Sequence, residues 1–228
     1  MPDYDSTDTL LDAALLHVAF DGWSEATFAA AILDSGLDEG LARGICPRGA
    51  VDLALAYHRR GDREMADRLA AMDFDALRIR ERIITAVRTR LEVVEDKEAV
   101  RRGMTLFSLP HHALDGARAI WETCDQIWTL VGDTSTDGNW YSKRAILSGV
   151  YSSTVLFWLG DDSPDHHATW EFLDRRIENV MKFEKVKAQV NDNPVLKPFA
   201  ALPNWVMGQI RAPRRDVGMP GTRHRGSR

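Results

Sequence analysis

The chain is predicted to be all-α, on three observations. No run of period-two alternation is long enough to make a strand. Apolar residues recur instead at spacings of three, four and seven in one segment after another, which lines them along single helix faces. Capping residues and Gly or Pro breakers fall where those stripes begin and end. Leu11, Ala14, Leu15, Val18 and Ala19 define a first helix that Asp21-Gly22 closes, and Ser24 is placed to cap a second running through Leu33. Gly36 then breaks the chain. Asp38 to Arg43 makes a short helical piece. After Gly44, a long helix starts near Pro47, runs through His58 and continues beyond Gly61-Asp62 to Met72. Leu77, Ile84, Val87, Leu91 and Val94 mark the next, and Lys97 to Phe107 another, ended by Pro110. The helix from Ala113 to Val131 carries Leu114, Ala117, Trp121, Cys124, Trp128 and Val131; that from Asn139 to Leu159 carries Leu147, Val150, Tyr151, Thr154, Val155 and Trp158. Ser163-Pro164-Asp165 reads as an N-cap with proline first, opening a helix on which Trp170, Leu173, Ile177, Val180 and Met181 face one way. From Asn193 onward Pro194, Pro198, Pro203 and Pro213 break any long helix, and the Gly-, Pro- and Arg-rich end is too polar to pack.

With 228 residues, 44% apolar and 28% charged, the chain is large enough for a sizeable core. Cys46 and Cys124 lack the spacing of a disulfide framework or a zinc site and read as buried thiols. The acidic start MPDYDSTDTLLDA has no basic region before an apolar core, so a cytoplasmic location is expected. No window approaches the roughly 18 consecutive apolar residues that a membrane span needs, although lying on a membrane surface stays open. Charge is uneven: residues 1–75 carry a net −9, residues 76–181 a net −3 and residues 182–228 a net +7. An acidic front repels phosphate, and a basic tail is drawn to anionic lipid or nucleic acid.

In length and order the first three helices, with the turn AILDSGLDEGLARG, resemble the N-terminal domain of TetR regulators, whose third helix enters the major groove. A reading helix needs Arg, Lys, Asn or Gln. The segment here opens on Asp38-Glu39 and offers only Arg43 nearby, so a retained packing unit without a nucleic-acid role is the expectation.

Catalytic patterns are weak. Adjacent histidines on a helix point about 100° apart, so neither His111-His112 nor His166-His167 clamps a metal by itself, and solvated helix starts are the plainer reading. GxSxG, GxxxxGKS, GxGxxG, HExxH and the Glu-x-x-His of di-iron helices are all absent. No catalytic residue, metal site or cofactor is predicted. What remains is binding. Trp121, Trp128, Trp158 and Trp170 with Phe107, Phe157 and Phe172 are a heavy aromatic load, which either fills a solid core or walls a cavity. The hydroxyls of Ser152-Ser153-Thr154 either bond back to a carbonyl or orient a polar head group.

The segments LFSLPHHALDGARAIWETCDQIW, GDTSTDGNWYSKRAILSGVYSSTVLFWLGDDSPDHHATWEFLDRRI and, less specifically, GICPRGAVDLALAYH together resemble the coenzyme Q (ubiquinone) biosynthesis accessory family over about residues 8–185. That resemblance implies an all-α homodimer of TetR-like design that binds no nucleic acid. It implies a three-helix helix-turn-helix-like unit over residues 1–46, a lipid-binding and dimerisation bundle over 47–190, and a basic, Pro-rich segment over 191–228. It further implies a non-enzymatic accessory protein that binds isoprenoid quinone intermediates and presents them to the demethoxyubiquinone hydroxylase. A cytoplasmic chain peripheral to the inner face of the cytoplasmic membrane is the location expected with it. The family's partner-docking patch falls on Trp140, Tyr141 and Arg144, with Ile127 and Leu130 on the preceding helix; residues 140, 141 and 144 share a helix face, and Trp, Tyr and Arg are the residues of interface hot spots. Candidate walls for the lipid are Phe107, Trp121, Trp128, Leu147, Tyr151, Val155, Trp170, Leu173 and Ile177.

One departure stands out. Relatives carry a long C-terminal amphipathic helix, whereas Pro198 and Pro203 leave only Trp205 to Ile210 followed by Arg211, Arg214 and Arg215. An aromatic anchor with basic residues, each worth about 1 kcal/mol near anionic lipid, still suits peripheral membrane contact. A polyprenylated ring resists leaving the bilayer by about 0.8 kcal/mol per buried CH₂, so a protein that shelters part of the tail lowers that cost. Two rivals stay open: a ligand-responsive TetR-type transcriptional regulator with the same pocket, and a hydrolase whose site no motif signals.

Overall fold

Helix follows helix because each apolar stripe in the sequence has a facing stripe to bury against. The computed structural model describes residues 4–136 and 138–192, and every regular element among them is helical. The α-helices are α1 (Tyr4–Asp21), α2 (Glu25–Ser35), α3 (Glu39–Ile45), α4 (Ala50–Ala70), α5 (Ile79–Glu92), α6 (Lys97–Phe107), α7 (Ala113–Leu130), α8 (Gly138–Leu159) and α9 (His167–Asp192). Single 3-10 turns occupy Phe74–Ala76 and Pro164–His166.

The expected caps hold at the N-terminal end. Ser24 accepts the Thr27 amide at 3.2 Å and Asp38 accepts that of Leu41 at 3.1 Å, each satisfying a donor left open in the first helical turn. Asp96 does the same for α6 through the Glu98 amide at 2.7 Å. Two boundaries differ from expectation. α4 begins at Ala50, after a turn over Pro47, and then runs past Gly61-Asp62 as expected, to Ala70. The Ser163-Pro164 step opens a 3-10 turn instead of an α-helix, with Asp165 and His166 in left-handed backbone at φ 51° and 57°. α9 then starts at His167, where the Ser163 hydroxyl accepts the Ala168 amide at 3.1 Å and the Asp161 carboxylate accepts the amides of Ser163 and Thr169, both at 2.9 Å.

Two cores result, and α4 threads both. Leu10, Leu11, Val18, Phe28 and Ala42 of α1–α3 close on Leu53 of α4. Met65 and Leu69, farther along α4, pack with Val87, Leu91, Ile127, Leu147, Trp158, Leu173 and Ile177 of the larger bundle. Burying each such aliphatic side chain stabilises the fold by about 1.5–3 kcal/mol. The two cores are also tied by α6, whose Ala99 packs in the smaller core and accepts the Trp23 indole N–H at 3.0 Å, while its Val100 and Met104 pack against the larger. In the larger bundle α8 lies between α7 and α9, and α9 packs on α5. Among the described residues no helix is long and apolar enough to cross a membrane.

Candidate functional site

Where α1, α4, α5, α6, α7 and α8 meet, they leave a cavity of about 810 Å³, which falls in the range of small-molecule sites. Small residues line it: Ala54 and Gly61 on α4, Ala99 and Gly103 on α6, and Gly116 and Ala119 on α7. Two of these glycines permit close approaches. A Cβ on Gly116 would lie 2.7 Å from that of Phe107, and one on Gly61 would lie 2.5 Å from Nη1 of Arg90. Larger apolar side chains complete the wall, among them Leu91, Val94, Met104, Ile120, Val155 and Trp158. Leu16 on α1 and Leu156 on α8, which are 70% and 60% exposed, also line the cavity and so stand at its rim.

One side of the cavity is polar but internally satisfied. Asp62 accepts from Arg90 Nε at 2.6 Å and from the Thr123 hydroxyl at 2.9 Å, and a second Arg90 nitrogen donates to the His58 carbonyl at 2.9 Å. His58 Nε2 lies 2.8 Å from the Thr123 hydroxyl. Burial, reinforced by the Arg90 charge, lowers the His58 pKa to about 4, so its imidazole is neutral at neutral pH. Burial likewise pushes the Cys46 and Cys124 thiols up, to about 11 and about 12, and both cysteines are free and buried. Such thiols are poor nucleophiles. Among the described residues no group of three His, Cys, Asp or Glu could hold a metal ion.

Of the nine lipid-wall residues expected from sequence, Phe107, Tyr151 and Val155 line the cavity. The other six do not. Leu147, Leu173 and Ile177 are spent in the solid core, where α9 packs onto α8 and α5. Trp128 packs beside that core and donates its indole N–H to the Lys143 carbonyl at 3.0 Å. Trp170 donates to the Asp165 carbonyl at 2.8 Å under the Arg88 guanidinium, away from the cavity. Trp121 turns toward Trp140 and Tyr141, with ring centroids 6.0 and 6.3 Å away. The void therefore lies toward the N-terminal unit, not between the last long helices. The sequence signal for it was the spacing of small residues on α6 and α7, which aromatic content hides.

The expected docking patch is partly rearranged. Trp121, Trp140 and Tyr141 form a half-buried aromatic cluster, and Leu130 is half-buried against the core. Ile127 and Arg144 are 0% and 1% exposed, so neither can meet a partner directly. The Arg144 guanidinium is held by Asp125 at 2.6 Å and Asp133 at 3.0 Å and lies 4.0 Å over the Trp140 ring. It positions the aromatic cluster from beneath. Hydrogen bonds from Lys143, Ser135 and Arg144 outweigh the effect of burial and hold the Asp133 carboxyl well below the usual carboxylate range. The membrane-contact residues Trp205, Ile210, Arg211, Arg214 and Arg215 lie outside the described residues.

Comparison with known proteins bears out the resemblance read from the sequence. The COQ9 family model matches residues 113–184, from α7 into α9. The chain is 28% identical over 193 residues to the probable ubiquinone biosynthesis protein coq9, mitochondrial, of Dictyostelium discoideum, covering 80% of this chain and 62% of that protein. It is 30% identical over 200 residues to the ubiquinone biosynthesis protein COQ9, mitochondrial, of Homo sapiens, covering 82% and 63%. The corresponding Drosophila melanogaster protein is 29% identical over 193 residues, covering 79% and 56%. The chain thus spans less than two thirds of the length of each of these three relatives. Among solved structures, a TetR transcriptional regulator from Nitrosomonas europaea ATCC 19718 superposes with a TM-score of 0.64 at 18% identity, over 76% of this chain and 97% of that one. The fold is all-α and TetR-like. One expectation is overturned: the relatives are named as mitochondrial proteins, which points away from a cytoplasmic chain on a cytoplasmic membrane.

Proposed function

We propose that this chain takes part in ubiquinone biosynthesis as a non-catalytic accessory protein, which shelters an isoprenoid quinone intermediate in its cavity and presents it to the demethoxyubiquinone hydroxylase. The likeness to proteins named for ubiquinone biosynthesis supports the pathway. The observation that carries the binding role is the cavity itself. It is walled mainly by apolar side chains, and its rim exposes Leu16 and Leu156, so a greasy molecule can enter without crossing a fully polar surface. The direct test is mass spectrometry of lipids released from the purified protein, where recovery of prenylated quinones or their precursors is expected and their absence overturns the reading.

The Trp121, Trp140 and Tyr141 cluster is our candidate for the hydroxylase contact, set by Arg144 and Asp133 behind it. Tyr141→Ala is the cleaner probe, because Trp140→Ala would also unstack a buried guanidinium. Loss of hydroxylase pulldown with unchanged melting is the expected result. A homodimer fits the exposed Phe157 on α8 and Met181 on α9. Membrane attachment through Trp205, Ile210, Arg211, Arg214 and Arg215 is tested by flotation with anionic vesicles, comparing the full chain with one ending at Asn193.

The regulator reading shares the fold but is disfavoured by charge. Arg43 is paired with Glu25 at 2.8 Å and Glu39 at 3.0 Å, and Arg48 with Asp52 at 2.7 Å and Asp115 at 2.8 Å. Cations so occupied are poorly placed to meet phosphate. A mobility shift on the chain's own upstream DNA separates the two readings.

A further inference from the structure

One helix stands between the cavity and water. Along α6, Ala99, Val100, Gly103, Met104, Phe107 and Ser108 line the cavity, while Arg101 and Thr105 on the opposite side are exposed. The buried positions of α6 are its two smallest residues, Ala99 and Gly103. Little fully buried apolar surface therefore wedges this helix in place.

The two edges of α6 are held differently. Toward the N-terminal unit it packs along α1, and Ala99 and Leu106 pack with the smaller core. On that edge the Trp23 indole N–H donates to the Ala99 carbonyl at 3.0 Å, and Arg102 donates to the Ala19 carbonyl near the end of α1 at 2.9 Å. On the other edge, two cationic side chains reach the C-terminal end of α8. Lys97 Nζ donates to the carbonyls of Trp158 and Asp161 at 2.9 and 3.2 Å, and Arg101 donates to that of Leu159 at 2.9 Å. Carbonyls in the last turn of a helix lack amide partners and lie at the negative end of its dipole, so cations settle there. The Arg101 side chain is 51% exposed, and water competes for its bond. Leu156, one turn before Leu159, both lines the cavity and stands exposed beside this seam.

Resting on the lipid-binding reading above, we propose that α6 is the gate of the cavity, hinged along α1 and latched to the end of α8 by Lys97 and Arg101. An apolar ligand passes between α6 and α8, across Leu156, when those two side chains let go. The non-helical residues 93–96 and 108–112, at either end of α6, absorb the swing.

The test closes the seam with a removable bridge. Arg101→Cys combined with Gly160→Cys puts a thiol on each side of it. A Cβ at Gly160 lies 3.8 Å from the Phe157 carbonyl, an ordinary contact, and the native Cys46 and Cys124 are buried away from the reagent. A short bifunctional methanethiosulfonate bridges the pair, and reductant releases it. Each form of the full chain is incubated with phosphatidylcholine vesicles carrying a tetraprenyl benzoquinone, re-isolated at intervals, and its lipid quantified by mass spectrometry. The bridged form is expected to load at least tenfold more slowly than the reduced form, and reductant to restore the rate. Separately, Lys97→Met with Arg101→Met keeps the apolar stems and removes the donors. Loading about tenfold faster than wild type, with the final load unchanged, is expected from losing a few partly exposed hydrogen bonds. Amide hydrogen exchange in α6 is expected to quicken in that variant without lipid present, while α8 stays protected. Should the methionine variant unfold, the bridged and reduced forms carry the test by themselves. Equal loading rates for those two forms overturn the gate and leave the carrier role standing. Loading and α6 exchange unchanged in the methionine variant overturn the assignment of the latch. Uptake by no form, wild type included, removes the carrier reading and this inference with it.

Discussion

His58 illustrates how a residue with no motif around it acquires a definite state. Its ring faces Thr123, its backbone carbonyl accepts from Arg90, and burial first and the Arg90 charge second bring its pKa down to about 4. Between about pH 6.5 and 4 the unfolded chain therefore binds a proton that the folded chain refuses. Stability is complete above that window and declines as pH falls through it, by roughly 3 kcal/mol in all. His58→Gln is expected to flatten urea-denaturation stability across this window, and a slope that persisted would place the proton elsewhere. Asp133 acts in a lower window. Its depressed carboxyl contributes stability above the ordinary carboxylate pKa of about 4, which is lost as pH drops further.

At the scale of elements, α4 shows why a breaker residue need not break. Gly61 weakens the helix that the sequence carries past it, because glycine in a helix interior costs about 1 kcal/mol against alanine. The helix nevertheless runs through, since the space above Gly61 is filled by the Arg90 guanidinium bound to Asp62. Gly61→Ala would stabilise an exposed helix, yet here its Cβ would come 2.5 Å from Arg90 Nη1. We expect a net loss of about 2 kcal/mol, seen as a lower melting temperature, because displacing a paired buried charge outweighs the propensity gain. A rise in melting temperature would refute this account. By contrast, Lys97 to Phe107 matches α6 residue for residue. Its boundaries rest on local signals, the Asp96 cap and the following Pro110, and need no distant partner.

For the whole molecule, the cavity sets retained emptiness against stability. Filling it should favour the fold and oppose the function. Val155, between Tyr151 and Trp158 on α8, is 7% exposed and lines the void. Val155→Phe is expected to leave the melting temperature unchanged or raised and to lower co-purifying lipid severalfold. A variant that kept its full lipid load would show that the ligand lies elsewhere. The relation between the two cores belongs to this scale too. α4 contributes Leu53 to one and Met65 to the other, and Leu15, Leu16 and Trp23 line the void, so the N-terminal unit serves as a wall of the cavity.

The sequence by itself determined the helices, most of their caps, the buried thiols and the family likeness, because those properties depend on neighbours within a few residues or on the wording of a segment. Tertiary structure decided where the void falls. Leu147, Leu173 and Ile177 look no different in sequence from cavity walls, yet they meet partners that fill the space before them, while Ala54, Gly103 and Gly116 line the void. It also decided that Arg144 lies beneath the aromatic cluster and not upon it, because Asp125 and Asp133 arrive from other segments to neutralise its charge. Emptiness and charge pairing belong to pairs of surfaces brought together, and no single stretch of chain encodes them.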